Sequence, residues 1–563
     1  MATGKKILYI VLLVIAVSAL PAQDLESLKS ARPVSITGNI GLNTSFYHMS
    51  EPTIPVRQTP FAYGVNANAT LSVYGISMPF SFTWYSNEKA GFRQPFNQFG
   101  ISPTYKWLTV HLGYRNLSFS EFTLNGHTFL GAGVEARPGK FRLGAMYGKF
   151  NQYSDYNLAV ADSIPRMTRS GWAWKAGYGT DSRFVDISML RIGDNPKNFV
   201  DSLAKLNYPT PAQNVVFGLT SKFSITPELL FHFDGSVSVF TANRKIETPD
   251  STAQGMLRFA DNFITVNHTS GAYKAIKTGL SYRFAPNIAS GIEYRRIDPH
   301  FQSMGSYFFN NDMELVTLNQ TVALLENKIN LRGSLGLQHD NLDGAKKNTS
   351  HRVVGSLNGG YTPNQSWAFD ASYSNFSTNQ RAFKTAGSDS LKIYQVNHNL
   401  SFTPRFMKMT EAYSHMVMLN LNLMKLDDKN KLTEEQTDTD TRIAMLMYNL
   451  GLQRLRLNIT TGLNYTEMTN KNFRNRLTGV TMNVAKSFLD DKLSLNWNSA
   501  ILANNMNDTK GTILNTALNA NYHFLSRHAL QVNINVINNS YGESSTIPSF
   551  NEIRGDIGYV FSF

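Results

Sequence analysis

The chain has 563 residues, with 53 Lys and Arg against 40 Asp and Glu, a formal charge of +13 and no cysteine. Disulfide staples and thiolate metal centres are thereby excluded, and the scattered basic excess lacks the clustering that nucleic-acid binding needs. Aromatics reach 12 % while mean hydropathy is −0.25, a combination expected when only every second residue of a membrane-crossing strand meets lipid.

Residues 1–22 carry Lys5 and Lys6, an apolar run from Ile7 to Leu20, then Pro21 and Ala22 before Gln23. They read as a cleaved secretory signal peptide, too short and wrongly flanked to be a membrane span. Leu20, three residues before the cut, is larger than the preferred small residue, and the absence of cysteine there excludes a lipoprotein anchor. Without the two signal lysines the mature chain keeps a basic excess of 11, which argues for contact with anionic lipid or solute. No later run reaches the ~18 apolar residues of a spanning helix, so a membrane would have to be crossed by strands. Residues 23–33 form a short periplasmic segment, and residues 34–563 a β-barrel.

From residue 34 onward one unit repeats: strand, tight turn, strand, longer loop. Tight turns are predicted near Gly75, Lys106-Trp107, Pro138-Gly139-Lys140, Thr180-Asp181, Thr226-Pro227, Pro286-Asn287, Asn327-Lys328, Thr362-Pro363-Asn364, Thr403-Pro404, Gln453, Asp490-Asp491 and Ser526-Arg527. Proline recurs there because it cannot donate to a sheet ladder. Longer polar stretches lie near residues 151–168, 194–212 and 243–270. The fold class is therefore all-β: a single transmembrane antiparallel up-and-down barrel of about 26 strands, within a range of about 22 to 26. Tyr105, Trp107, Tyr282, Tyr361, Trp367 and Tyr522 sit next to turns, which suits an interfacial aromatic belt as well as ordinary strand propensity.

The stretch Phe99 to Phe150, FGISPTYKWLTVHLGYRNLSFSEFTLNGHTFLGAGVEARPGKFRLGAMYGKF, resembles a recurrent segment of large outer-membrane barrels from the Bacteroidota. The resemblance covers two or three hairpins and carries no functional residues over. TonB-dependent transporters add a plug domain ahead of the barrel and the lipopolysaccharide transporter a periplasmic jelly roll; neither is expected here.

Further along, Ile329, Leu331, Leu335 and Leu337 alternate with Asn330, Arg332, Ser334 and Gln338. Leu455, Leu457, Ile459 and Leu463 alternate with Arg456, Asn458, Thr460 and Asn464, and the same pattern returns in Leu493–Ile501 and Leu530–Val536. The apolar set is assigned to lipid and the polar set to the lumen. By that parity Glu293, Arg295, Arg332, Arg456, Arg554 and Asp556 are the lumen-facing charges that would meet a solute, or would pair across the inner wall and stiffen it. His398 and His415, read as flanking a turn, could bring two imidazoles together, and the acids of Asp427–Asp440 could hold a divalent cation, although chance neighbours and a solvated loop tip are the plainer readings. The final residues alternate without a break, Ile553, Ile557, Tyr559, Phe561 and Phe563 on one face. This closing strand resembles the C-terminal strand of bacterial outer-membrane barrels, and the resemblance implies that Tyr559, Phe561 and Phe563 form the signal read by the barrel-insertion machinery.

No P-loop, GxSxG elbow or HExxH occurs, no nucleophile stands beside its base, and neither enzyme activity nor a cofactor is expected. Strands ~4.8 Å apart and tilted ~40° would make a cylinder roughly 50 Å across, too wide to be left open. The expectation is an outer-membrane channel or transport component whose lumen is occluded by loops, a plugging or capping protein or a surface lipoprotein. The alternative is a non-conducting scaffold or assembly subunit that binds surface lipoproteins or secretion or insertion machinery. The apolar segment 243–270, with Met256, Leu257, Phe259 and Phe263, is the loop expected to fold inward or to meet such a partner.

Overall fold

The computed structural model describes residues 34–51, 58–86, 97–151, 167–196, 210–246, 253–307, 309–346, 349, 351–380, 393–542, 545 and 547–563. The proposed signal peptide and residues 23–33 lie outside them. Every strand pairs antiparallel with its neighbours in sequence, and the first, Val34–Met49, pairs with the last, Phe550–Ser562, over Asn39↔Ser562 to Met49↔Glu552. The seam is completed by Gly38 and Phe563, which exchange N–H···O bonds of 2.9 and 3.0 Å. Of 27 hydrogen-bonded segments, Gln98–Ile101 and Thr104–Tyr105 are two halves of one strand between Ile76–Tyr85 and Leu108–Ser118, so the closed sheet has 26 strands.

The break in that strand has a local cause. Pro103 has no N–H, and the flanking groups re-pair around it: Ser102 N–H donates to Pro79 O and Val110 N–H to Pro103 O, both at 2.9 Å. Opposite the break, Gly113 takes a φ of 90°, and a Cβ there would meet Phe99 O at 2.4 Å. At the same rim Tyr74-Gly75 turns with φ of 46° and 83°, the left-handed pair that matches strand twist in a two-residue hairpin.

Eleven of the twelve predicted short turns stand, six of them marked by proline, glycine or Asp-Asp and five, such as Lys106-Trp107 and Gln453, without that mark. The twelfth does not: Thr403 and Pro404 lie inside one strand, Ile393–Met409, and the chain turns at residues 410–412. Pro404 interrupts pairing with the following strand, where register is continuous only up to Phe402↔Leu421 and resumes at Arg405↔Met418. Asn420 Nδ2 fills part of the gap by donating to Thr403 Oγ1 at 2.9 Å. A proline can be accommodated in a long strand at the cost of one ladder bond, and the side-chain bond between Asn420 and Thr403 holds the two strands together there without replacing it.

Over the middle of the strands the outward set is mainly apolar, with Leu335, Leu357, Leu463 and Ile501 exposed at 55 to 60 %. Next to the short turns this surface becomes aromatic, and Tyr105, Trp107, Tyr282, Tyr361, Trp367 and Tyr522 all point outward and are exposed. Their rings meet along the rim, for example Tyr282 edge-on to Phe284 at 4.7 Å and Trp367 stacked on Phe369 at 5.7 Å.

Candidate functional site

The inner wall is not uniform. On Phe184–Asn195 and Gln213–Ser224 the inward positions include Leu190, Ile192 and Val216, each fully buried. Apolar side chains facing a water-filled lumen would be unfavourable, and two segments cover them. Residues 119–124, 298–307 and 309–312, from the rim opposite the short turns, fold into the barrel: Leu124 and Met304 pack on this wall, and Phe122 and Phe301, with no exposure left, pack on the inward Ala275 and Ile297 further along it. Phe301 lies edge-on to Phe122 at 6.0 Å and to Phe309 at 5.3 Å.

Polar contacts fix the two segments to each other and to the wall. Ser303 Oγ donates to Thr123 O. Asn214 accepts from Met304 N–H at 3.0 Å and donates to Ser238 Oγ at 2.8 Å. Asn125 N–H donates to Gly305 O at 3.0 Å, and Tyr307 stacks on His127 with centroids 4.2 Å apart. Glu121 is held by Arg295, by Lys277 Nζ at 3.2 Å, and through its own N–H by Asp234 Oδ2 at 3.0 Å. At the outer end Lys346 sits between Asp312 and Asp340, with Asp340 Oδ2 at 2.6 Å.

The segment 243–270 does not take the inward course, one of its two expected placements. Its described part forms a short helix, Met256–Ala260, followed by Ile264 and Val266. These pack on Met189, Val215 and Val239, which share a face with the outward Ile187 and Leu219. The segment therefore lies against the outside of the barrel. Three neighbouring strands carry outward apolar residues at their ends, and this segment covers them, leaving Phe259 51 % exposed.

The sequence candidates separate into different environments. Glu293 lies 3.3 Å from His232 Nε2, and Arg295 binds Glu121 of an inward segment. Arg332 stands opposite Thr321 and Asn358 on the inner face, with no ion pair among the described residues. Arg554 lies 3.3 Å from Asp556, opposite Tyr47 and Ser45. Arg456 is not in a strand: Gln453–Leu455 form a helical turn, Arg456 follows with a φ of 48°, and the strand begins at Leu457. Its guanidinium bonds Asp491 at 3.0 Å across the short-turn rim. Tyr559 accepts or donates a 2.7 Å bond with His528 Nδ1, and Phe561 and Phe563 lie 5.9 Å apart.

His398 and His415 are not paired with each other. They face Lys425 and Lys408 across the ladder and bond Tyr373 and Tyr448. Around Asp427–Asp440 the central carboxylate, Asp428, accepts from Asn430 N–H and from the hydroxyls of Thr433 and Thr437. Among the described residues no three His, Asp or Glu side chains converge on a metal position.

One inner-wall network had no sequence signal. Glu135 lies 3.3 Å from His111 Nε2, His111 Nδ1 lies 3.0 Å from Ser102 Oγ, and Arg115 Nε donates to the same hydroxyl at 2.9 Å. A serine beside a histidine beside a carboxylate has the composition of a nucleophilic triad. Here the Ser102 N–H is spent on Pro79 O and Pro103 has none, so the adjoining backbone offers no donors for an oxyanion. The chain instead orients Arg115, which also donates to Ser81 at 2.9 Å and lines a cavity of about 510 Å³ with Thr37, Asn68 and Thr70.

Much of the remaining wall consists of paired amides and hydroxyls, with Met416, Met418, Met445 and Met447 between them on two adjacent strands. Asn422 donates to Asn399 at 3.0 Å, Asn449 to Thr460 at 2.7 Å, Asn464 to Thr481 at 3.2 Å and Asn483 to Asn496 at 3.0 Å.

What fold and site define together is a closed, 26-stranded antiparallel barrel, apolar and aromatic outside, with a lumen narrowed along one wall by its own loops. No family model and no curated protein matches the chain. Among solved structures it is similar to the P pilus usher (PapC) translocation pore, at 9 % identity over 94 % of this chain and 99 % of that one, with a TM-score of 0.38. It is also similar to the FrpB iron transporter from Neisseria meningitidis (11 %, 97 % and 83 %, TM-score 0.37) and to OccAB2 from Acinetobacter baumannii (11 %, 63 % and 92 %, TM-score 0.29). Similarity at this level carries no statement about activity.

Proposed function

We propose that the protein is a bacterial outer-membrane barrel serving as a channel or transport component. The observation that carries the reading is the division of its lumen. Residues 119–124, 298–307 and 309–312 fill the side where the wall is apolar, and the opposite side is mainly Asn, Ser and Thr, interrupted by Met416, Met418, Met445 and Met447 on two adjacent strands. Such a wall wets well and binds no ion strongly, which suits passage of polar solutes past a fixed obstruction. Arg115 and Arg332 would bias that passage toward anions. The outer aromatic rim and apolar band suit a bilayer, with lipids and the barrel-insertion machinery as partners and Tyr559, Phe561 and Phe563 as its signal. A signal peptide over residues 1–22 would deliver the chain to the periplasm.

A second reading has one observation in its favour: the outward-lying Met256–Ala260 segment presents Phe259 to its surroundings, as a contact of a scaffold or assembly subunit with a surface lipoprotein or capping protein would. The test is conductance of the purified barrel in planar bilayers, alongside a pull-down from native membranes. Steady conductance by the barrel alone supports the channel; a silent barrel that co-purifies stoichiometrically with another protein supports the scaffold.

A further inference from the structure

Near the rim opposite the short turns, register aligns one row of side chains across five strands: Arg442 opposite Glu467, Glu467 opposite Arg476, Arg476 opposite Asn505, and Asn505 opposite Lys510. Four residues closer to the short turns the same strands align Leu446, Leu463, Val480, Ile501 and Leu514. An even offset keeps both rows on one face, and exposures of 44 % at Leu446, 58 % at Leu463 and 58 % at Ile501 mark it as the outer one. A basic row thus sits directly above an apolar one on the outside of the barrel.

The row is organised around one carboxylate. Arg474 reaches Glu467 Oε1 with Nη2 at 2.7 Å and Nε at 3.0 Å, Arg476 reaches it at 3.2 Å, and Arg442 lies 4.0 Å from Oε2. Glu467 keeps 8 % of its side-chain exposure, whereas the three arginines keep 60, 41 and 67 %. Three cations share one anion, and Lys510 adds a fourth, so most of the positive charge is unneutralised and turned outward.

Height along the strand says what it meets. Glu467 is ten residues beyond Leu457, the first of its strand, which at ~3.4 Å per residue and ~40° tilt is about 26 Å, close to the ~25 Å apolar band of such barrels. The row falls at the outer boundary of that band, where hydrocarbon gives way to headgroups. Guanidinium forks match phosphate oxygens bidentately, and basic clusters at a membrane boundary attract anionic headgroups.

We propose that Arg442, Arg474, Arg476 and Lys510 form a site for the phosphate groups of an anionic lipid headgroup in the outer leaflet, with Glu467 as the template that holds the arginines fanned outward. The inference rests on the barrel being embedded in a membrane. To test it, the full-length wild-type protein is reconstituted in phosphatidylcholine nanodiscs doped with diphosphoryl lipid A or with its dephosphorylated counterpart, and retained lipid is counted by native mass spectrometry. The expected result is a preference of about tenfold or more for the phosphorylated lipid, lost in R442Q/R474Q/R476Q and in the same variant with E467Q added, which removes the unpaired carboxylate. R332Q, on the inner wall, should keep the preference. Equal retention of both lipids by the wild-type protein overturns the proposal without reference to any variant, and so does an undiminished preference in the quadruple variant. Millimolar inorganic phosphate displacing the lipid completely would assign the site to free phosphate and overturn the lipid assignment. A wild-type chain that never gives a heat-modifiable folded band in the nanodiscs would instead strike the membrane reading.

Discussion

Leu463 and Asn464 show how much one step of parity changes. Leu463 faces outward near the middle of its strand, while Asn464 faces the lumen and donates to Thr481. Leu463→Arg should cost roughly 2–4 kcal/mol in a bilayer; Asn464→Arg gives up one hydrogen bond, about 1 kcal/mol, and keeps its charge in water. Urea midpoints followed by heat-modifiable gel mobility should separate the two, and equal losses would mean that the faces are misassigned. A second test concerns Lys346, clasped by Asp312 and Asp340. Burial pushes the Asp312 carboxyl up, but Lys346 and the Leu342 N–H outweigh it and hold it below the ordinary Asp range. A depressed folded value means that the contribution is complete above about pH 4 and lost as pH falls through the folded value. Exchange of amides in 298–312 should therefore quicken only in strong acid. Lys346→Met removes the cation from two buried carboxylates, at a cost of about 3–5 kcal/mol, and should quicken that exchange at neutral pH; unchanged exchange would show that the clip does not hold the segment.

At the scale of elements, three segments that carry apolar residues divide between the two faces of the wall. Residues 119–124, 298–307 and 309–312 enter the lumen, and 253–268 lies on the outer face. Replacing 299–307 by a short Gly-Ser linker removes Phe301, Ser303 and Met304 from the wall, and single-channel conductance should rise. Replacing 254–264 exposes Met189, Val215 and Val239 on the outside, so conductance should stay as it was while the purified barrel binds more detergent or self-associates. The opposite pattern would mean that the 253–268 segment, and not 298–312, controls the passage. The sequence did not resolve this, because apolar residues in a loop announce that something is covered and are silent about which side of the sheet it is on. A partial signal was present in Leu190, Ile192 and Val216, apolar residues at inward positions of two adjacent strands, although later strands also place Met418, Met445 and Met447 inward.

For the whole molecule, closure depends on its two ends. Val34–Met49 pairs with Phe550–Ser562, and the Gly38–Phe563 exchange finishes the seam. Deleting Phe561 to Phe563 removes three seam residues and an aromatic end together, and the chain should accumulate in the periplasm on membrane fractionation. Normal outer-membrane levels of the truncated protein would show that neither seam nor aromatic end is needed for insertion.

The sequence by itself determined the strand class, eleven of the short turns, the strand number and the outer face, because period-two alternation and proline or glycine punctuation are local properties that each hairpin repeats. It misplaced one turn at Thr403-Pro404, where the ladder skips two pairs and resumes in the same register, and it placed Arg456 in a strand that starts one residue later. Only the tertiary structure decided which loops entered the lumen and which residues met across it. Arg295 with Glu121, Ser102 with His111, and Arg442 with Glu467 and Arg476 are set by register between strands, and register is fixed by closing the barrel, to which every strand contributes.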